Sequence, residues 1–410
     1  MPNFSIPLSG LTAEATALSA VANNLANQNT TGYKDTRVLF SDLFYQSLGT
    51  TGAGAPIQLG AGARVGSMPG TFTQGSVTAT GVPTDVAIQG NGFFVVQNGG
   101  AVSYTRAGDF SVDKNNFLVT SEGQQVLGYP AVNGVVNPGG GVGPLQLGAG
   151  TISPPTVTSA VSITTNLNSG AAVGDTYSTP VSIYDSLGAS HILTFTFTKT
   201  GVNAWNYSLA VPPGDSSLVG GIVTTGAMTF DGNGNLLTPA ANLAGLSIPG
   251  LTDGAKNMTF AWDLYNGNAP VISQVAAASS TSSTQQDGSS SGTLTNFTIG
   301  ADGTVTGSFT NGKTASLGQL ALASFADQQG LQRAGSTDYT QTLASGQAVV
   351  GAAGTGGRGT LSGGSLELSN VDIATEFANL IVAQRAFEAN AKAVTTFDQI
   401  TQDTINLKPQ

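Results

Sequence analysis

The sequence predicts a mainly β protein with paired terminal α-helices: a nested multidomain chain whose coiled-coil helical core carries β domains inserted outward. Three observations predict it. Apolar residues recur in heptads at both ends, short β runs broken by Gly, Asn and Asp fill the interior, and only 9% of the 410 residues are charged, against a usual quarter or so.

The first helix is predicted from Pro7 to about Asn27. Leu8, Leu11, Ala15, Leu18, Ala22 and Leu25 recur at spacings of 3, 4, 3, 4 and 3, a heptad seam and not a strand alternation. Pro7 suits a first turn, where its missing N–H would have no partner anyway. The other faces are Ala, Ser and Thr with Glu14 as the sole charge. So apolar a helix is marginal alone and expects neighbours on most sides.

Between residues 85 and 130, apolar stretches (Val86–Ile88, Phe93–Val96, Phe110–Val112, Phe117–Val119) alternate with turns at Asn91-Gly92, Asn98-Gly99-Gly100 and Asn115-Asn116, which predicts hairpins. The pattern returns around Asp231-Gly232-Asn233-Gly234 and Asp302-Gly303. Ser/Thr/Gly-rich tracts at about 48–55, 276–293 and 351–364 read as connections.

The second helix is predicted to open at Ser369, with Asp372 as the partner in an acidic capping box, and to run to about Leu407. Its seam reads Ile373, Phe377, Leu380, Gln384, Phe387, Ala391 and Val394. Arg385, Glu388 and Lys392 supply ion pairs along its outer face. Two weak helices at opposite ends have one economical solution, which is to pair. The expected domains are therefore 1–30 with 366–410, a connecting segment of 31–70 with 359–365, a discontinuous β domain of 71–145 with 284–358, and an inserted β sandwich or barrel at 146–283.

Composition excludes several functions. A net charge of −10 and 13 Lys and Arg exclude a general phosphate-backbone binder, so no nucleic acid is expected. Without cysteine and with His191 as the one histidine, thiolate and two-His metal sites are excluded, and no catalytic residue, metal or cofactor is expected. Gly288-Ser-Ser290-Ser-Gly292 matches a nucleophile-elbow string but lacks the flanking strand and helix. Asp231, Asn233 and Asn235 imitate a calcium loop whose twelfth position is Asn242 instead of Glu, so a hairpin turn is expected there. His191, beside Ile192–Phe195, reads as a strand residue. No cationic leader or long apolar run precedes Lys34, so neither a cleavable signal peptide nor membrane insertion is expected.

Asn23-Asn24-Leu-Ala-Asn27 followed by Thr30-Thr-Gly32-Tyr33-Lys34 resembles the N-terminal signature of the bacterial flagellar rod and hook axial protein family. The far end agrees through Ser369-Asn370-Val-Asp372, Glu376, Asn379, Gln384-Arg385 and Asn390-Ala391. Similarity extends through Gly92-Phe93-Phe94, Tyr104–Phe110 and Leu127–Pro130 and thins across the insertion. Rod members are much shorter and lack a large inserted domain, so the resemblance points to the hook subunits. It implies a structural, non-enzymatic subunit that self-assembles through its terminal helices into a hollow helical tube, a flexible joint carrying motor torque from rod to filament. It implies as partners further copies of itself, the distal rod, the hook cap, the hook–filament junction proteins and the flagellar type III export apparatus. It also implies an extracellular place in the basal body and hook. Phe40 and Phe44 resemble an export-recognition spacing, with a local core pair as the other reading. A distal rod or junction subunit, or a secreted carbohydrate-active β protein, are the rival functions.

Overall fold

The computed structural model describes residues 4–52, 54–132, 134–147 and 151–406. Leu407, the expected end of the second helix, lies outside them. The chain forms two compact units: Met1–Gly148 with Asn296–Gly307 and Ala315–Gln410, and Ala149–Thr295 with Ser308–Thr314.

In the first unit, α1 (Ser5–Ala26) and α2 (Ile373–Asn406) pair. They run antiparallel: Phe4 meets Phe397 with ring centroids 6.1 Å apart, while at the other end Asn24 Nδ2 donates to Glu376 Oε2 at 3.3 Å. The face of α1 that meets α2 is not the leucine seam. α1 buries Pro7, Ala13, Ala17, Ala20 and Asn24. Gly10, Ala13, Ala17, Ala20 and Asn24 form their own heptad stripe, and both ends of it touch α2. A Cβ at Gly10 would stand 2.9 Å from the Asn390 amide. Alanines let the axes approach closely, whereas leucine knobs would hold them farther apart. Size thus sorts the faces of α1: the small-residue stripe packs within the chain, and the leucine seam stays exposed or half-buried.

The cap of α2 also differs. Asp372 Oδ1 accepts from the Thr375 N–H at 2.7 Å, so Asp372 is the N-cap, and Ser369 Oγ accepts only from Val371 N at 3.3 Å. Hydrogen bonds from the Thr375 amide and hydroxyl, helped by the Ala374 amide, hold the Asp372 carboxyl below its ordinary value. The carboxylate also complements the positive end of the helix.

The β part of this unit centres on strand Phe93–Asn98, which pairs with Ala101–Thr105, Gln125–Val132 and Thr314–Ser324. The continuous apolar run has a cause. Phe94 and Val96 enter one core cluster with Leu118, Val126, Leu320 and Leu322, while Phe93 and Val95 enter another with Tyr104 and Tyr339, so both faces are covered. Asn98–Ala101 closes the expected hairpin. Asn91-Gly92 does not, because Val86–Gln89 pairs instead with Thr360–Gly363, and the turn carries the chain from one sheet to another.

The second unit holds two five-stranded sheets. One is an antiparallel meander through Thr176–Tyr184, Ser190–Gly201, Ala204–Ala210, Ile222–Phe230 and Leu236–Thr238. The other gathers Leu243–Ile248, Met258–Asp263, Ala160–Asn168, Ile272–Val275 and Ser280–Gln286. They share one core, in which the Trp262 ring lies 5.0 Å from Phe195 and 5.2 Å from Tyr207. Alternate residues of Ser190–Gly201 are buried, as expected of a strand covered on one face. Asp231 Oδ1 accepts from the amides of Asn233 and Asn235, closing the expected hairpin turn between Ile222–Phe230 and Leu236–Thr238. Ser289 forms an isolated β-bridge with Thr156, and Gly292 opens a strand instead of a helix, so no nucleophile elbow is built.

Candidate assembly interface

A buried network fastens the two chain ends together and thereby fixes the helix pair to the first β unit. Lys34 and Glu367 are fully covered, with Lys34 Nζ 2.6 Å from Glu367 Oε1, and Arg106 Nη1 lies 3.2 Å from Glu367 Oε2. Gly75 N–H also donates to Glu367 Oε1, Lys34 Nζ to Thr73 O, and Arg106 Nη2 to Gly90 O. Three segments remote in sequence thus meet on one carboxylate. Burial pushes the Lys34 ammonium below its ordinary range and Glu367 opposes that; the same two influences act on Arg106.

Beside it the family signature closes a second network. Asn24 is buried and uses all its hydrogen-bonding capacity: Nδ2 donates to Thr36 O and Glu376 Oε2, and Oδ1 accepts from Tyr33 Oη and Thr36 N. Asn23 Nδ2 donates to Tyr33 Oη, Asn27 Nδ2 to Asn23 O, and Thr30 Oγ1 to Asn27 Oδ1. From the other terminus, Asn370 Oδ1 accepts from Asp35 N and its Nδ2 donates to Thr71 O. Gly32 is required here: its φ is +67°, its N–H donates to Glu367 O, and a Cβ would lie 2.5 Å from the Ala107 nitrogen. Arg333 stacks 5.5 Å from the Tyr33 ring centroid and donates to Lys34 O. Sequence reasoning missed Glu367 and Arg333; the signal for Glu367 was a lone charge between Arg358 and Asp372 in a Gly/Ser-rich run of a charge-poor chain.

What the staple holds up is apolar and uncovered. Of the α1 seam, Leu8 and Ala22 are exposed and Leu11, Ala15, Leu18 and Leu25 are half-buried. Of the α2 seam, Ile373, Phe377 and Gln384 are exposed, while Leu380, Phe387, Ala391 and Val394 are half-buried. Ile373, Phe377 and Ile381, four residues apart, form a stripe with 48%, 48% and 58% of their surfaces exposed. Arg385 meets Glu388 at 3.4 Å in solvent, and no bridge from Glu388 to Lys392 exists among the described residues. Phe40 is half exposed and Phe44 is 90% exposed, which overturns the core-pair reading. The hairpin of Tyr45–Thr50 and Pro56–Gly60 adds exposed Tyr45, Leu48, Ile57 and Leu59. So many exposed large apolar side chains mark a binding surface.

Four family descriptions match in chain order: the flagella basal body rod protein at 6–34, the flagellar hook protein FlgE/F/G D1 domain at 87–167, the flagellar basal body protein FlaE D2 domain at 155–289, and the flagellar basal body rod FlgEFG protein C-terminal at 362–407. The flagellar hook protein FlgE of Escherichia coli strain K12 is 37% identical over 99% of this chain and all of its own length. That of Salmonella typhimurium is 36% identical over 99% of this chain and all of its own length. That of Treponema pallidum is 34% identical over 98% of each chain.

Proposed function

Because the chain belongs to the flagellar hook protein family, we propose that its uncovered helix faces are completed by further copies of the same chain, building a hollow helical tube. It is a structural subunit of the flagellar hook and not an enzyme, and it polymerises within the flagellar axis. No helix of the described residues is long and apolar enough to cross a membrane.

The observation that carries the reading is that α1 buries its small residues Ala13, Ala17 and Ala20 within the chain while Leu8 of α1 and Ile373, Phe377 and Ile381 of α2 stay exposed. A surface that complements a different surface on the next copy propagates an open helix. In this reading the helix pair lines the channel, and the expected nesting of β domains (71–145 with 284–358, enclosing 146–283) carries the rest of the subunit. The tube acts as a flexible joint between rod and filament. Its ends meet the distal rod, the hook cap and the hook–filament junction proteins. Delivery goes through the flagellar type III export apparatus without a cleaved signal, with exposed Phe40 and Phe44 as recognition residues, to an extracellular site. The four signature matches across both termini and the inserted segment support a hook subunit over a rod subunit or a carbohydrate-active protein.

Electron microscopy of the concentrated intact protein is expected to show tubes. Phe377→Asp combined with Ile381→Asp should leave folded monomers with unchanged circular dichroism. Tubes from the double variant would place the assembly face elsewhere.

A further inference from the structure

One buried cluster in the second unit takes no part in assembly through the helices. His191, 7% exposed, opens strand Ser190–Gly201. Its Nδ1 lies 3.2 Å from Asp215 Oδ2, and its Nε2 lies 3.3 Å from Asp185 Oδ2 and 3.5 Å from Asp253 Oδ2. Asp185 stands in the turn before this strand, Asp215 in the loop after Ala204–Ala210, and Asp253 in the loop between Leu243–Ile248 and Met258–Asp263. Each ring nitrogen therefore faces carboxylate oxygen.

A neutral imidazole has one N–H and one lone pair, so either tautomer would aim a lone pair at a carboxylate; only the imidazolium donates from both nitrogens. We propose that His191 is a protonated latch that ties three loops of this unit together, and that rising pH opens it. Asp185 is held for the task. Its side chain is fully covered, and its Oδ1 accepts from the amides of Leu187 and Ala189, leaving Oδ2 for the ring. The other hydrogen bonds joining the loops run from Thr252 N–H and Oγ1 to Asp215 O, from Ser217 N–H and Oγ to Pro249 O, and from Lys256 N–H to Ser186 Oγ. The charged groups facing the ring are the three carboxylates, and Lys256 is the cation of the third loop. Loss of the proton both removes the donor and leaves three negative charges facing one another.

The electrostatics agree. Burial pushes the His191 proton affinity down, but hydrogen bonds and charge from Asp215 and Asp185 outweigh it and leave the pKa above its ordinary 6.5. For Asp185, burial raises the pKa, and hydrogen bonds from His191 and the amides of Ala189 and Leu187 outweigh that to leave it below its ordinary value. A raised histidine contributes stability that is complete below its unfolded pKa and vanishes as pH rises through the folded one; a lowered aspartate contributes stability that vanishes as pH falls through its folded value. The latch is therefore firmest between about pH 4 and about 6.5 and opens above that window.

With one histidine in the chain, the test is clean. The imidazole resonance of the full-length, chelator-treated protein would be followed from about pH 5 to about 9. The midpoint is expected above that of an imidazole in an unfolded peptide, with amide exchange around Asp215 and Asp253 accelerating through the same midpoint. Asp215→Asn should lower the midpoint while the fold persists, as should Asp253→Asn. An unperturbed midpoint, or loop exchange indifferent to it, would overturn the latch. So would a shift of the imidazole resonance and slowed loop exchange on adding zinc or calcium near neutral pH, since the donors of Asp185, His191 and Asp253 lie within 4.8 Å of one another and a cation would then hold the loops instead of a proton.

Discussion

Glu367 carries more structural consequence than any other single side chain in the first unit. Among the described residues it is the only carboxylate bonded to buried Lys34 and Arg106, and it also receives the Gly75 N–H. Removing its charge leaves two desolvated cations facing each other, a situation that costs about 3–5 kcal/mol. Glu367→Gln should therefore lower the unfolding free energy of the first unit, read from denaturant titration, by that much, while Glu388→Gln, whose partner Arg385 is 80% exposed, should change it by less than about 1 kcal/mol. Equal effects of the two substitutions would mean that the buried network is not what joins the chain ends. Gly32 belongs to the same argument: its left-handed backbone and the closeness of the Ala107 nitrogen leave no room for a side chain, so Gly32→Ala should displace the loop that carries Tyr33 and Lys34. The conformational part of that cost is about 1 kcal/mol, and the clash adds to it.

At the level of elements, α1 divides its labour by residue size, and the division predicts opposite phenotypes for adjacent positions. Ala17 is buried on the stripe that faces α2. Ala17→Leu should overpack that contact and destabilise the monomer by about 1–3 kcal/mol. Leu18 is only half-buried in the single chain, so Leu18→Ala should barely move the melting temperature. If neighbouring copies cover it, the same change forfeits up to about 1.5–3 kcal/mol of burial and raises the critical concentration for tube formation about tenfold or more. Sedimentation of assembled protein beside thermal melts of the monomer reads both effects. The helices themselves were legible in the sequence because heptad spacing and Pro7 are local signals. Which stripe faces inward was not, because Leu8 through Leu25 outweigh Ala13, Ala17 and Ala20 on any hydrophobicity count, and close approach favours the smaller residues. The strands Val86–Gln89 and Phe93–Asn98 were legible for the same local reason, as was the hairpin to Ala101–Thr105, but the partners Thr360–Gly363 and Thr314–Ser324 lie more than 200 residues away. Nothing local in the sequence reports such pairings. The signature asparagines were visible as a motif, yet their work, the closure of Asn24 on Tyr33, Thr36 and Glu376, exists only once the termini meet. His191 read as a strand residue and is one, but its three aspartates come from three loops.

For the whole molecule, composition sets how assembly responds to its surroundings. Only 9% of residues are charged and the net charge is −10, so copies meeting through leucine, isoleucine and phenylalanine gain little from ion pairs and bear mild mutual repulsion. Apolar association near room temperature is driven by entropy and weakens on cooling. The critical concentration should therefore rise when the solution is chilled and fall modestly as salt screens the like charges. An interface built on ion pairs would respond in the reverse sense, weakening with salt. The two cases separate in one experiment, in which tube mass is measured by light scattering across temperature and ionic strength. Weaker assembly at high salt would assign subunit cohesion to the few charges of α2, such as Arg385 and Glu388, and remove the apolar stripe of Ile373, Phe377 and Ile381 from the account. Stronger assembly at high salt, with disassembly in the cold, follows from a chain that keeps its small residues for itself and offers its large ones to the next copy.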